Sequence, residues 1–140
     1  MRWSKRFALL AFCLTAMAPL LAQEDDRPYK VVIQVSDEQS AKWTLALNNA
    51  RNVQQDLGAD KTRIEIVAYG PGIAMLKADS LAANRIVEAF ASGVAIVACE
   101  NTMRNQKLSR QDMLSGIAYA SAGVVRIMQR QQQGYAYIRP

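Results

Sequence analysis

One thiol dominates the chemistry this chain can offer. Cys99 closes an unbroken apolar run, Gly93-Val94-Ala95-Ile96-Val97-Ala98, and is followed at once by Glu100-Asn101-Thr102-Met103-Arg104. A buried central strand ending in a polar turn delivers such a residue to the rim of an open α/β sheet, where the loops part and ligands bind. A helical turn beginning just after Cys99 favours the thiolate through its free N–H groups and dipole, an effect of about 0.3–1 kcal/mol at an exposed site. Arg104 adds to this, and Glu100 opposes it as a neighbouring negative charge, so residue types alone leave the direction of the pKa shift open. The role of the thiol is equally open at this level, because the same position suits a buried cysteine packed as a small hydrophobe.

Other chemistries are excluded by what the chain lacks. It contains no histidine, which removes Ser-His-Asp and Cys-His nucleophiles and any imidazole-built zinc site. One usable cysteine cannot cage a metal, and no CxxC, GxxxxGK[ST] or GxGxxG pattern is present. Gly70-Pro71-Gly72 on its own reads as a turn before it reads as a phosphate cradle. No metal and no cofactor are expected.

The N-terminus carries the signature of export. Arg2, Lys5 and Arg6 form a positive region, Phe7 to Leu21 an apolar one, and Ala22 before Gln23 offers a small residue for cleavage. The apolar stretch, containing Thr15 and Pro19, is shorter than the roughly 20 residues of a spanning helix. Residues 1–22 are therefore expected to be a secretory signal peptide rather than a stable membrane anchor, and the mature protein to be periplasmic or secreted. Cys13 leaves with the signal, so Cys99 has no partner in its own chain. Cleavage removes three of 17 basic residues and none of the 12 acidic ones, leaving a net charge of +2. The high pI therefore owes much to the signal, and no nucleic-acid partner is expected.

Residues 23–29 form a polar lead-in, and residues 30–140 suit a single domain. Val31-Val32-Ile33-Gln34-Val35 is apolar on both faces and wants helices on both sides. Ser40 opens a helix with Trp43, Leu47, Ala50 and Leu57 on one stripe and Gly58 as its stop. Asn48, Asn49, Arg51, Asn52 and Gln55 occupy its other side, either solvated or bonding between subunits. Arg63 to Ala68 give the second strand, which ends in the Tyr69-Gly70-Pro71-Gly72 loop expected beside Cys99. Ser80 caps a helix with Ala83, Ile86, Val87 and Phe90 buried, and the Cys99 strand follows. Ser109 with Asp112 resembles a capping box. Ile117 to Ala120 form a brief strand, Val124, Val125, Ile127 and Met128 belong to a last helix, and Tyr135 to Ile138 close the sheet. This alternation predicts an α/β protein with three layers, α/β/α, around a largely parallel sheet. Ser36, Asp37, Tyr69, Gly70, Pro71, Gly72, Cys99, Glu100, Asn101 and Thr102 gather at its strand ends as a shallow pocket, with Arg104 nearby.

Tyr69-Gly70-Pro71-Gly72, Ala98-Cys99-Glu100-Asn101-Thr102-Met103, Ala122-Gly123-Val124-Val125-Arg126-Ile127 and Gln132-Gln133-Gly134-Tyr135-Ala136-Tyr137-Ile138 occur in that order. In this combination the chain resembles the DsrE/DsrF-like family over nearly the whole mature domain. The resemblance implies a five-stranded, mainly parallel sheet and a homo-oligomer, trimeric or hexameric. Well-known members relay sulfur, holding it as a persulfide on one cysteine and passing it to another protein, and Cys99 stands where that cysteine is expected. Those relays are cytoplasmic and use partner subunits, whereas this chain carries an export signal and resembles more closely the stand-alone members of unassigned role.

Two functions follow. In the first, the chain is an exported thiol-handling or sulfur-carrier protein with Cys99 as persulfide acceptor and a sulfur donor or acceptor protein as partner. Its thiol is then reachable from the pocket. In the second, it is a non-catalytic oligomeric module binding a small ligand, with Cys99 structural. An enzyme with its own turnover is the least favoured reading, for want of an acid–base pair around the thiol.

Overall fold

Strands form where the apolar runs are. The computed structural model describes residues 26–140, and in it β1 (Tyr29–Val35), β2 (Thr62–Ala68), β3 (Ala95–Cys99), β4 (Ala118–Ala120) and β5 (Ala136–Ile138) make one sheet in the order β4-β3-β2-β1-β5. All four pairings are parallel. The expected signal peptide, residues 1–22, and the first part of the lead-in lie outside the described residues. β1 starts at Tyr29, one residue before the expected domain boundary.

Between the strands run α1 (Ser40–Leu57), α2 (Ala83–Ala91), α3 (Glu100–Asn105) and α4 (Gly123–Gln132). Right-handed crossovers explain the layering. The chain steps from β1 to β4 in one direction with α1 and α2 on one face, then returns to the far side of β1 with α4 on the other. The first face buries Val31, Ile33, Val35, Ile64, Ile66 and Ile96 against Trp43, Leu47 and Ile86. Each such side chain contributes about 1.5–3 kcal/mol relative to exposure. The second face is thinner: Val32, Val67 and Val97 meet Ile127 and Tyr135. The three-layer α/β/α architecture is thus the observed one.

Local details depart from the sequence pattern. Val87 on α2 is 61% exposed, because the buried side of this short helix narrows to Ile86. Leu57, in the last turn of α1, also reaches solvent. Ser80 stands before the helix it was expected to cap: its hydroxyl accepts from the Ala82 N–H, and α2 starts at Ala83. Not all the α1 amides are merely solvated, since Asn48 accepts from Arg85 at 2.7 Å and Gln54 donates to the Ser92 carbonyl at 2.7 Å. These two bonds tie α1 to α2. The capping box at Ser109 and Asp112 is formed. No helix of the described residues is long and apolar enough to cross a membrane.

Candidate functional site

β3 carries Cys99 to the C-terminal rim on the thinner face of the sheet, and α3 begins at the very next residue. The polar groups of that first turn, the Thr102 hydroxyl and the Thr102 and Asn101 backbone N–H groups, lie near the sulfur and favour its anionic form, the Asn101 N–H itself donating to the Ser121 carbonyl at 3.1 Å. The hydrogen bond to the sulfur comes from elsewhere: the Gly123 N–H, first residue of α4, lies 3.2 Å from Cys99 Sγ. Burial works to raise the pKa of the thiol, and these polar neighbours outweigh it, holding Cys99 below the ordinary thiol value. The direction of the shift, left open by residue types, is downward.

The sulfur is also well covered, Cys99 being 4% exposed in the chain. This corrects the expectation of a thiol open at the loop mouth. The cover comes from close packing: a Cβ placed on Gly123 would stand 3.0 Å from Tyr69 Cβ and 3.3 Å from Cys99 Cβ. α4, Tyr69 and Cys99 are therefore pressed together at a point where only a glycine fits without adjustment.

The Gly70-Pro71-Gly72 segment lies beside Cys99 as expected, but as the start of a 3-10 helix, Gly70–Leu76, with Pro71 in its first turn. The Gly70 N–H donates to Thr102 Oγ1 at 2.9 Å, which polarises a hydroxyl close to Cys99. Gly72 is structural. A Cβ there would lie 2.9 Å from Ser36 Cα and closer still to the Val35 carbonyl, so the backbones of β1 and this segment touch. Tyr69 stands half-buried between the two halves of the rim. Burial pushes its phenol up, with Tyr137 and Cys99 adding to the effect, while Arg139 and a hydrogen bond with Gln34 moderate it.

Other predicted site residues are turned to other work. Glu100 pairs with Arg110 at 2.8 Å, and Arg104 donates to the Asn101 side chain. The Asn101 N–H donates to the Ser121 carbonyl at 3.1 Å, tying the start of α3 to the end of β4. Ser36 accepts from Gln34 Nε2 at 3.0 Å, and the Asp37 carbonyl receives the Trp43 indole at 2.7 Å, anchoring the start of α1. Both sit at the end of β1, two strands from Cys99, with Tyr69 between them.

Residue patterns missed three participants. Gln34, 9% exposed, accepts from the Tyr137 hydroxyl at 2.5 Å, making a polar chain from β5 across β1 toward Tyr69. Its signal was present: one amide inside an apolar strand. Glu65 is the equivalent case in β2, 3% exposed and bound by Arg126 and Arg130. Gly123 carries no local signal of its contact with Cys99.

A model described as the DsrE/DsrF-like family matches residues 29–140. The fold is similar to that of the protein of unknown function MTH1491 from Methanobacterium thermoautotrophicum, with a TM-score of 0.76 and 38% identity over 80% of this chain and 99% of that one. It is also similar to the ychN protein from E. coli, at a TM-score of 0.64 and 11% identity, covering 80% of this chain and 98% of the other. No curated protein matches.

Proposed function

Because the chain belongs to the DsrE/DsrF-like family, which is associated with sulfur relay in general, we propose that it is a sulfur carrier holding its cargo as a persulfide on Cys99. The observation that supports this is the Gly123 N–H donating to Sγ at 3.2 Å with the polar first turn of α3 beside it, an environment suited to an anionic sulfur. In the loading step, the Cys99 thiolate attacks the outer sulfur of a donor of the class R–S–SH. The S–S bond of the donor breaks, R–S⁻ leaves, and a new S–S bond forms at Cys99. An acceptor thiolate takes the outer sulfur by the same displacement, so the cycle consumes neither oxidant nor reductant.

In this reading residues 1–22 export the chain, and a donor or acceptor protein meets it in the periplasm or outside the cell. There a resting thiol that is oxidised needs an external reductant for its recovery. The reading also includes a homo-oligomer, trimeric or hexameric, for which the half-exposed Val124, Val125 and Met128 on α4 supply apolar surface. The 4% exposure of Cys99 favours the second reading, an oligomeric small-ligand module with a packed cysteine.

Intact mass decides between them. The full chain treated with glutathione persulfide is expected to gain the mass of one sulfur, reversibly with dithiothreitol, and the Cys99→Ser chain is expected to gain none at that site. No gain in the folded protein, with Cys99 reactive only after denaturation, overturns the carrier reading.

A further inference from the structure

We infer that Glu65 is a positioning residue for Cys99: it seats α4 so that the Gly123 N–H reaches the sulfur. The inference rests on the thiolate reading of Cys99 and is independent of any sulfur cargo. Its starting point is the underside of α4. Gly123, Arg126, Ile127 and Arg130 share one stripe at helical spacing and face the sheet, yet only Gly123 and Ile127 of this helix are buried. Val124, Val125 and Met128 point away and are 45–55% exposed. One isoleucine and one glycine give little shape to fix where a helix sits along a sheet.

The carboxylate supplies the missing definition. Glu65, in the middle of β2, takes Arg126 Nε at 2.6 Å and Nη2 at 3.0 Å, together with Arg130 Nε at 2.9 Å and Nη2 at 2.6 Å. Arg130 also reaches Gln133 and lies over the Tyr135 ring. Burial works to raise the pKa of Glu65, and the two guanidiniums outweigh it, so the clamp is charged. Two planar forks on one desolvated carboxylate set both the height and the rotation of the helix. A slip of α4 by a single residue is about 1.5 Å. That is enough to take the Gly123 N–H, now 3.2 Å from Sγ, out of hydrogen-bond range.

The direct charge of Glu65 acts in the opposite sense, which makes the inference testable by sign. Glu65 is in register with Ala95, four residues before Cys99, and thus about 13 Å from it along the strand. Both groups are buried, so salt screens their interaction only in part. What survives is removal of a negative charge and release of two positive ones, which lowers the thiol pKa. Loss of the Gly123 donor raises it. The other charged and titratable groups around Cys99 are Tyr69 at the end of β2 and Glu100 and Arg104 on α3, left in place by a change at Glu65, and Arg126 on α4, which that change releases.

The experiment is a pH titration of thiolate ultraviolet absorbance on the full chain, each protein measured against its own Cys99→Ser partner so that Cys99 alone is read. Glu65→Gln is expected to raise the midpoint by about half a pH unit. An unchanged or lower midpoint in a folded Glu65→Gln protein overturns the inference. Should that variant fail to fold, Arg126→Lys keeps the charge and loses the fork; the same rise is expected, and no rise overturns the inference. Sulfur loading is read separately by mass on the unsubstituted chain. A midpoint that follows Glu65 in a protein that never takes up sulfur supports this inference and overturns the carrier reading.

Discussion

Gly123→Ala tests the close approach of α4 to the thiol. The glycine begins a ten-residue helix, where alanine is intrinsically preferred by up to about 1 kcal/mol, so the substitution stabilises the protein if nothing else is near. The structure gives the opposite sign. The added methyl group would stand 3.0 Å from Tyr69 Cβ, 3.2 Å from Tyr69 Cδ1 and 3.3 Å from Cys99 Cβ, contacts shorter than the ordinary carbon–carbon optimum of about 3.5–4.0 Å. Overpacking of this kind costs about 1–3 kcal/mol. Set against the propensity gain, a net loss of up to about 2 kcal/mol is expected, with a fall in Tm of roughly 4 °C per kcal/mol for a domain of this size. Displacement of the Gly123 N–H also raises the pKa of Cys99. Urea denaturation, thermal melting and thiolate titration of the same sample read all three effects. A variant that gains stability and leaves the thiol midpoint unmoved refutes the packing described around Sγ.

Three further outcomes are expected. Gly72→Ala, which drives a Cβ into the β1 backbone at Val35 and Ser36, destabilises by more than about 3 kcal/mol; soluble protein with an unchanged urea midpoint contradicts that contact. Tyr137→Phe removes the donor to Gln34 and costs about 1 kcal/mol by urea titration, with no effect expected if the two side chains are separately solvated. The folded Cys99 thiol titrates below its ordinary value of 9.0, so the unfolded chain binds more protons between the two pKa values and stability rises with pH across that window. Relative to Cys99→Ser, the contribution is complete above the unfolded value and lost as pH falls through the folded one; a pH-independent difference in stability between the two proteins argues against the donor set.

Much of the frame was legible because single elements declare themselves. The apolar runs of β1 and β3 exceed what one buried face requires, and the Trp43-Leu47-Ala50 stripe marks α1. Cys99 and the turn behind it could be read as a unit because the polar residues Asn101 and Thr102 are sequence neighbours. The donor to the sulfur could not, since Gly123 is 24 residues away and arrives only through a crossover to the opposite face. The 3-10 helix Gly70–Leu76 was hidden for another reason: Ile73, Met75 and Leu76 are all fully buried, so no periodicity separates a tight helix from a loop. Gln34 and Glu65 were visible as lone polar residues in apolar strands, but their partners Tyr137, Arg126 and Arg130 lie far away in sequence.

The strand order has a consequence for how the molecule is made. β1, the first strand of the described residues, is flanked in the finished sheet by β2 on one side and by β5, the last strand of the described residues, on the other. Val31 to Ile33 keep an unsatisfied ladder edge until Ala136 to Ile138 arrive, so the sheet stays incomplete until β5 has been made. Parallel pairing between segments this distant is slow, because loop closure costs entropy before any contact rewards it. A chain shortened by its final five residues leaves the edge of β1 open for good, and its apolar run Val31 to Ile33 becomes a template for a neighbouring chain.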